Sequence, residues 1–114
     1  GKGLEDLAKT RREAVAKARD GRLPQELTVP ATISISNGGR DGADRFQAMI
    51  YPGQTAILAV GRIHDRVVPM GQAMAVRRGC YLTLTVDHRV VDGLVASAFL
   101  GAVAKRIEEG GWPT

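Results

Sequence analysis

Leu4, Leu7, Ala8, Arg11, Ala14, Val15 and Ala18 recur at steps of three and four residues, the repeat of a helix with one apolar face. Glu5, Asp6 and Glu13 stand toward its start, and Lys17 and Arg19 stand near its end, which suits the helix dipole. Gly21 is placed to cap it, and Pro24 stops any continuation. Thr32 to Ser36 alternates polar and apolar residues and predicts a strand. Asn37 to Gly42 is a run of turn formers that, taken alone, suits a hairpin turn. Phe46 to Ile50 reads as a short strand broken at Pro52-Gly53, and Thr55 to Gly61 is nearly continuously apolar, as in a strand buried on both faces. Val67-Val68 and Met74-Ala75-Val76 flank Gly71 and predict a hairpin; Tyr81 to Val86 predicts the last strand. After Asp92-Gly93, the residues Leu94, Val95, Ala98, Phe99, Ala102, Val103 and Ile107 return to helical spacing until Gly110-Gly111, and Trp112-Pro113 follow. Helix, strands, helix is the order of an α+β fold, with a mixed or antiparallel sheet and flanking helices on one face.

Composition narrows this picture. A chain of 114 residues makes at most one domain with a modest core, and with aromatics at only 4% that core must be aliphatic. A single cysteine, Cys80, excludes an intramolecular disulfide. No apolar run approaches the roughly 18 residues of a membrane span, so no membrane partner is expected. The net charge of +4 admits a phosphate-bearing ligand or an acidic protein surface. It also admits nucleic acid, but the aromatic interleaving of single-strand binders is missing, and no nucleic-acid partner is expected. The chain opens Gly1-Lys2-Gly3 with neither an initiator Met nor a signal peptide, and reads as a piece of something longer. The basic positions on the first helix read as a solvated face.

Little in the chain can do chemistry outside one segment, Asp87-His88-Arg89-Val90-Val91-Asp92-Gly93. It supplies an imidazole as a base and a carboxylate within one short stretch. His88 keeps the parity of Leu82, Leu84 and Val86 if the strand persists. Asp92 is also placed to cap the following helix. Ser36 ends a strand beside glycines. Gly38-Gly39 suits close backbone approach to a phosphate, but no Lys-Ser/Thr pair follows, so this is not a P-loop. Cys80 reads as a small buried hydrophobe and His64 as a surface turn residue. No cluster has metal-ligand spacing.

The segment from Asp87 to Gly93 resembles the active-site motif of dihydrolipoamide acyltransferases, the core enzymes of 2-oxo acid dehydrogenase complexes. Thr32-Ile33-Ser34-Ile35-Ser36-Asn37-Gly38-Gly39 is similar to that family's serine segment, and Ala56 to Gly61 to its buried strand. Leu4 to Gly21 is similar to the helix that precedes the serine. His-x-x-x-Asp-Gly alone is shared with chloramphenicol acetyltransferases and peptide-synthetase condensation domains; Asp87, Arg89 and the Ser36-Asn37 pair carry the finer match.

The resemblance implies a chloramphenicol acetyltransferase-like fold. Residues 1–114 would form the C-terminal half of a catalytic domain that moves an acyl group between dihydrolipoamide and coenzyme A. It implies His88 as general base, Ser36 as oxyanion donor reaching across from a neighbouring subunit, and Asp92 in the active site. Asn37 and Gly61 would line the coenzyme A channel. The implied partners are further copies in a homotrimer and higher-order core, a lipoyl group carried on a separate domain, and the 2-oxo acid dehydrogenase and dihydrolipoamide dehydrogenase components. The implied compartment is bacterial cytoplasm or mitochondrial matrix. Two other readings stand beside it: a non-catalytic assembly module of the same core, and an acyltransferase acting on a hydroxyl or amine substrate.

Overall fold

The structure, a computed structural model, describes residues 3–27 and 30–111, so Trp112 and Pro113 lie outside the described residues. The chain divides into two units, residues 1–30 with 106–114, and residues 31–105.

In the first unit the apolar repeat forms α1, Leu4–Arg19, with Glu5 and Asp6 in its first turn and Lys17 and Arg19 in its last. Gly21, at φ +70°, ends it as expected. Its N–H donates to the Ala18 carbonyl at 3.1 Å, and the Arg22 N–H donates to the Lys17 carbonyl at 2.8 Å. Those are the paired bonds of a Schellman cap, which satisfy carbonyls the helix leaves open. Past Pro24 the chain makes one 3-10 turn, Gln25–Leu27.

The second unit holds two sheets. β1 (Ile33–Asn37), β2 (Ala56–Val60) and β5 (Leu82–Val86) form a mixed sheet in the order β1-β2-β5. β1 runs parallel to β2, and β2 runs antiparallel to β5. β2 is central and carries the core: Ala56, Ile57, Leu58 and Ala59 are buried. This is why its sequence is apolar at successive positions rather than alternating. β3 (His64–Met70) and β4 (Ala73–Gly79) form a separate hairpin around Gly71-Gln72. α2 spans Gly93–Glu109.

Register sorts the mixed sheet into two faces. Ile33, Ala56 and Val86 stand level, as do Ile35, Leu58 and Leu84. One face is therefore aliphatic, and the first turns of α2 close over part of it. Val91, Val95, Ala96 and Phe99 line a largely apolar cavity of about 260 Å³ with Ile33, Ala56 and Val86. Ser34 and Ser36, Ile57 and Ala59, and Thr83 and Thr85 make the opposite face, small and rich in hydroxyls.

Four expectations are corrected. Asn37 to Gly42 is not a hairpin turn, because β1 and β2 are parallel and the chain must cross over; it makes a 3-10 turn at Gly39–Asp41 and a left-handed exit at Gly42, φ 85°. Phe46 to Ile50 is not a strand. Its alternation survives as alternating burial, half-buried at Phe46, Ala48 and Ile50, but no strand pairs with it. His64 is not a turn residue: it opens β3 opposite Gly79 and is half-buried. Cys80 is likewise half-buried rather than enclosed.

Candidate active site

β5 stops at Val86 because the next residues turn. The Asp87 carbonyl accepts from the N–H groups of Val90, at 2.9 Å, and Val91, at 3.0 Å. The Asp87 side chain fixes the same turn. Its Oδ1 accepts from the Arg89 backbone N–H at 3.1 Å and from Arg89 Nε at 3.0 Å, while Oδ2 accepts from Arg89 Nη2 at 2.9 Å. The hydrogen bond from the Arg89 side chain, then that from its backbone, holds the Asp87 carboxyl below the usual carboxylate range. The same pairing raises the Arg89 guanidinium. Arg89 is thereby committed to Asp87, and His88 stands between them on a clamped loop.

His88 is exposed, and its imidazole makes no hydrogen bond to any described residue. The parity argument from β5 does not reach it, since the strand has ended. It lines a cleft of about 490 Å³ whose opposite wall is Ile50 to Thr55. Gln54 in that wall is itself held, accepting a hydrogen bond from the Ser34 hydroxyl.

Asp92 takes the capping position. Its Oδ1 accepts from the Val95 N–H at 2.9 Å, and its carbonyl from the Ala96 N–H at 3.0 Å. It thus starts α2 and fixes the C-terminal end of the histidine loop.

Ser36, Asn37 and Gly61 gather at the other end of the sheet. Ser36 stands level with Ala59 and Thr83, three residues before the end of β5. That places it roughly 10 Å from the end of β5 along the strands and about 10 Å across two strand spacings. One chain therefore does not bring Ser36 to His88. The Ser36 hydroxyl makes no hydrogen bond to any described residue.

Asn37 Oδ1 accepts from the Gly39 N–H at 2.9 Å and shapes the exit from β1. Gly61 is buried where the crossover passes; a Cβ there would collide with the Asp44 carbonyl, and one at Gly39 would press on the Arg62 backbone. The two backbones meet because both sides lack side chains.

Sequence reasoning missed the cleft wall at 50–55 and a basic group around Tyr81, whose members come from distant segments. Arg62 pairs with Asp44 at 2.7 Å, which lowers the Asp44 pKa and raises that of Arg62. Among the described residues, no group of three or more His, Cys, Asp or Glu is placed to hold a metal, and no helix is long and apolar enough to cross a membrane.

The family described as 2-oxoacid dehydrogenases acyltransferase (catalytic domain) matches residues 1–111. The chain belongs to this acyltransferase family. A relative, the dihydrolipoyllysine-residue acetyltransferase component of the pyruvate dehydrogenase complex of Zymomonas mobilis, is 37% identical over 108 residues, 95% of this chain and 24% of its own length. The crystal structure of a probable dihydrolipoamide acetyltransferase from Listeria monocytogenes aligns with a TM-score of 0.90 at 34% identity, over 95% of this chain and 46% of that one. The Azotobacter vinelandii dihydrolipoamide acetyltransferase, investigated for the role of a serine, a histidine and an asparagine in its catalytic mechanism, aligns at 0.86 and 30% identity, over 91% and 43%. The fold is thus that of the acyltransferase cores, and the chain spans about a quarter of the curated relative's length.

Proposed function

We propose that this chain is the C-terminal half of an acyltransferase catalytic domain that exchanges an acyl group between dihydrolipoamide and coenzyme A. The observation that carries the reading is an exposed imidazole, with no hydrogen-bond partner among the described residues, on a loop clamped at both ends, by Asp87-Arg89 and by the Asp92 cap, and lining a cleft. Spacing supports it. In the A. vinelandii enzyme the investigated serine precedes the histidine by 52 positions, the interval between Ser36 and His88. The asparagine follows that histidine by four, as Asp92 follows His88.

The chemistry suits these groups. A thiol of pKa about 8.5 is mostly protonated at neutral pH, and an imidazole of pKa about 6.5 is mostly free. Full transfer between them costs about 2.7 kcal/mol, which a positioned base meets by taking the proton as sulfur attacks the thioester carbon. His88 takes that proton and returns it to the departing thiol. Ser36 donates a hydrogen bond to the oxyanion and forms no covalent intermediate. Asp92 keeps the loop in place through its cap on α2. Asn37 and Gly61 lie on the Ser36 side, where the coenzyme A channel would run.

Ser36 and His88 lie too far apart to share a site within one chain. In this reading the working site joins His88 of one copy to Ser36 of another, within the homotrimer and higher-order core that the family resemblance implies, supplied by lipoyl domains. Ile35, Val67, Met74 and Val76, with exposures from 66% to 79%, are apolar surfaces that such an assembly covers. These surfaces also favour the second reading, an assembly module without turnover. Acyl exchange between acetyl-coenzyme A and dihydrolipoamide by the full-length protein tests both. Exchange by wild type supports the transferase, and trimer formation without exchange leaves the assembly module. Co-assembly of His88→Ala with Ser36→Ala subunits then tests the shared site. Partial recovery of activity is expected, and none would mean that both groups act within one subunit.

A further inference from the structure

Tyr81 sits at the join between β4 and β5 and is half-buried. Its ring carries two cations. The Arg45 Cζ lies 4.0 Å from the ring centroid and the Arg66 Cζ lies 4.9 Å from it. The His64 ring is 6.0 Å away, with Nδ1 donating to the Arg62 carbonyl at 2.9 Å. Stacking on the ring attracts each guanidinium, but the two repel one another.

Among the described residues no carboxylate is paired with either. Asp44, the nearest acid in sequence to Arg45, is bound to Arg62 at 2.7 Å. Asp65, beside Arg66, lies on the opposite face of β3: His64, Arg66 and Val68 are half-buried, while Asp65 and Val67 are exposed. Neither Arg45 nor Arg66 forms an ion pair with a described residue. A guanidinium held over a ring by its charge, with no carboxylate bound, has N–H groups to offer an oxyanion.

We infer that Arg45 and Arg66, oriented by Tyr81, form a binding site for a phosphate monoester. Two unneutralised guanidiniums match its two negative charges, and their planar donor edges match its oxygens. The site lies at the Ser36 end of the sheet, since the Gly61 N–H donates to the Tyr81 carbonyl at 3.0 Å and Asn37 stands level with Val60. Coenzyme A carries one phosphate monoester, on its ribose. That source of the phosphate rests on the acyl-transfer reading; the site itself does not.

Calorimetric titration of the full-length protein with coenzyme A, dephospho-coenzyme A and adenosine 3′,5′-bisphosphate tests the site without turnover. Coenzyme A is expected to bind about tenfold or more tightly than the dephospho form, the scale of one charge-assisted hydrogen bond. Arg45→Gln and Arg66→Gln should each remove most of that ratio and leave dephospho-coenzyme A unchanged. Tyr81→Phe should preserve it. A ratio that survives both arginine changes, or no binding of any probe, overturns the site. If the bisphosphate binds through Arg45 and Arg66 while coenzyme A does not, the site stands and the acyl-transfer reading falls.

Discussion

The two ends of the mixed sheet are built in opposite ways. At the His88 end, seven consecutive residues contain the turn, its clamp, the base and the helix cap, and each bond spans two to four positions. At the Ser36 end, β1, the crossover at 43–45, the Gly61 junction, β3 and the start of β5 all meet. A local motif keeps its shape through nearby bonds. An assembled site keeps its shape only while the surrounding backbone packs. Changes at the first end should therefore act on chemistry, and several at the second should act on stability or binding.

The sharpest division comes from His88→Ala, which should cut acyl exchange by about 10²- to 10⁴-fold, the usual contribution of a general base, with no change in oligomer mass by sedimentation. Retained turnover would place the base elsewhere. Ser36→Ala should follow, lowering turnover roughly 10²- to 10³-fold with little change in coenzyme A affinity. An effect on affinity alone would make Ser36 a binding residue.

Gly61→Ala carries the comparison into packing. Its new methyl group meets the Asp44 carbonyl, and overpacking of this kind costs about 1–3 kcal/mol. A lowered melting temperature is expected, and an unchanged one would show that the crossover can yield. Asp92→Ala should cost about 1 kcal/mol by loss of the cap, while Asp92→Asn keeps it. If Asp92→Asn retains stability and loses activity, the carboxylate charge serves the histidine rather than only the helix.

The smallest effect concerns pH. Asp87 titrates low in the folded protein because Arg89 binds its ionised form. Its contribution to stability is therefore present above the unfolded carboxylate pKa and lost as pH falls through the depressed folded value. Arg89→Gln should move the Asp87 titration upward in a carboxyl-carbon NMR series. No movement would mean that the clamp seen at 2.9 Å is not populated in solution.

Much of the local structure was legible from spacing. Both helices, the Gly21 cap, the buried strand over Ala56–Ala59, the hairpin around Gly71 and the capping role of Asp92 follow from short-range rules. The failures share a cause. Phe46 to Ile50 alternates like a strand, yet alternation reports burial of every second residue and not the presence of a partner edge. Asn37 to Gly42 has turn chemistry, yet turn residues do not say whether the next strand returns or crosses over.

By itself the sequence determined the two helices, the Gly21 cap and the Asp92 cap of the histidine loop, because the bonds that form them join residues close together in the chain. Tertiary structure alone decided that β1 and β2 run parallel and that Arg45 and Arg66 converge on Tyr81. Those relations join residues 15 to 36 positions apart in the case of Tyr81, and no periodicity or turn preference operates over that distance. They follow from which backbone segments pack against one another, and the bare glycines at Gly39 and Gly61 are what let them approach.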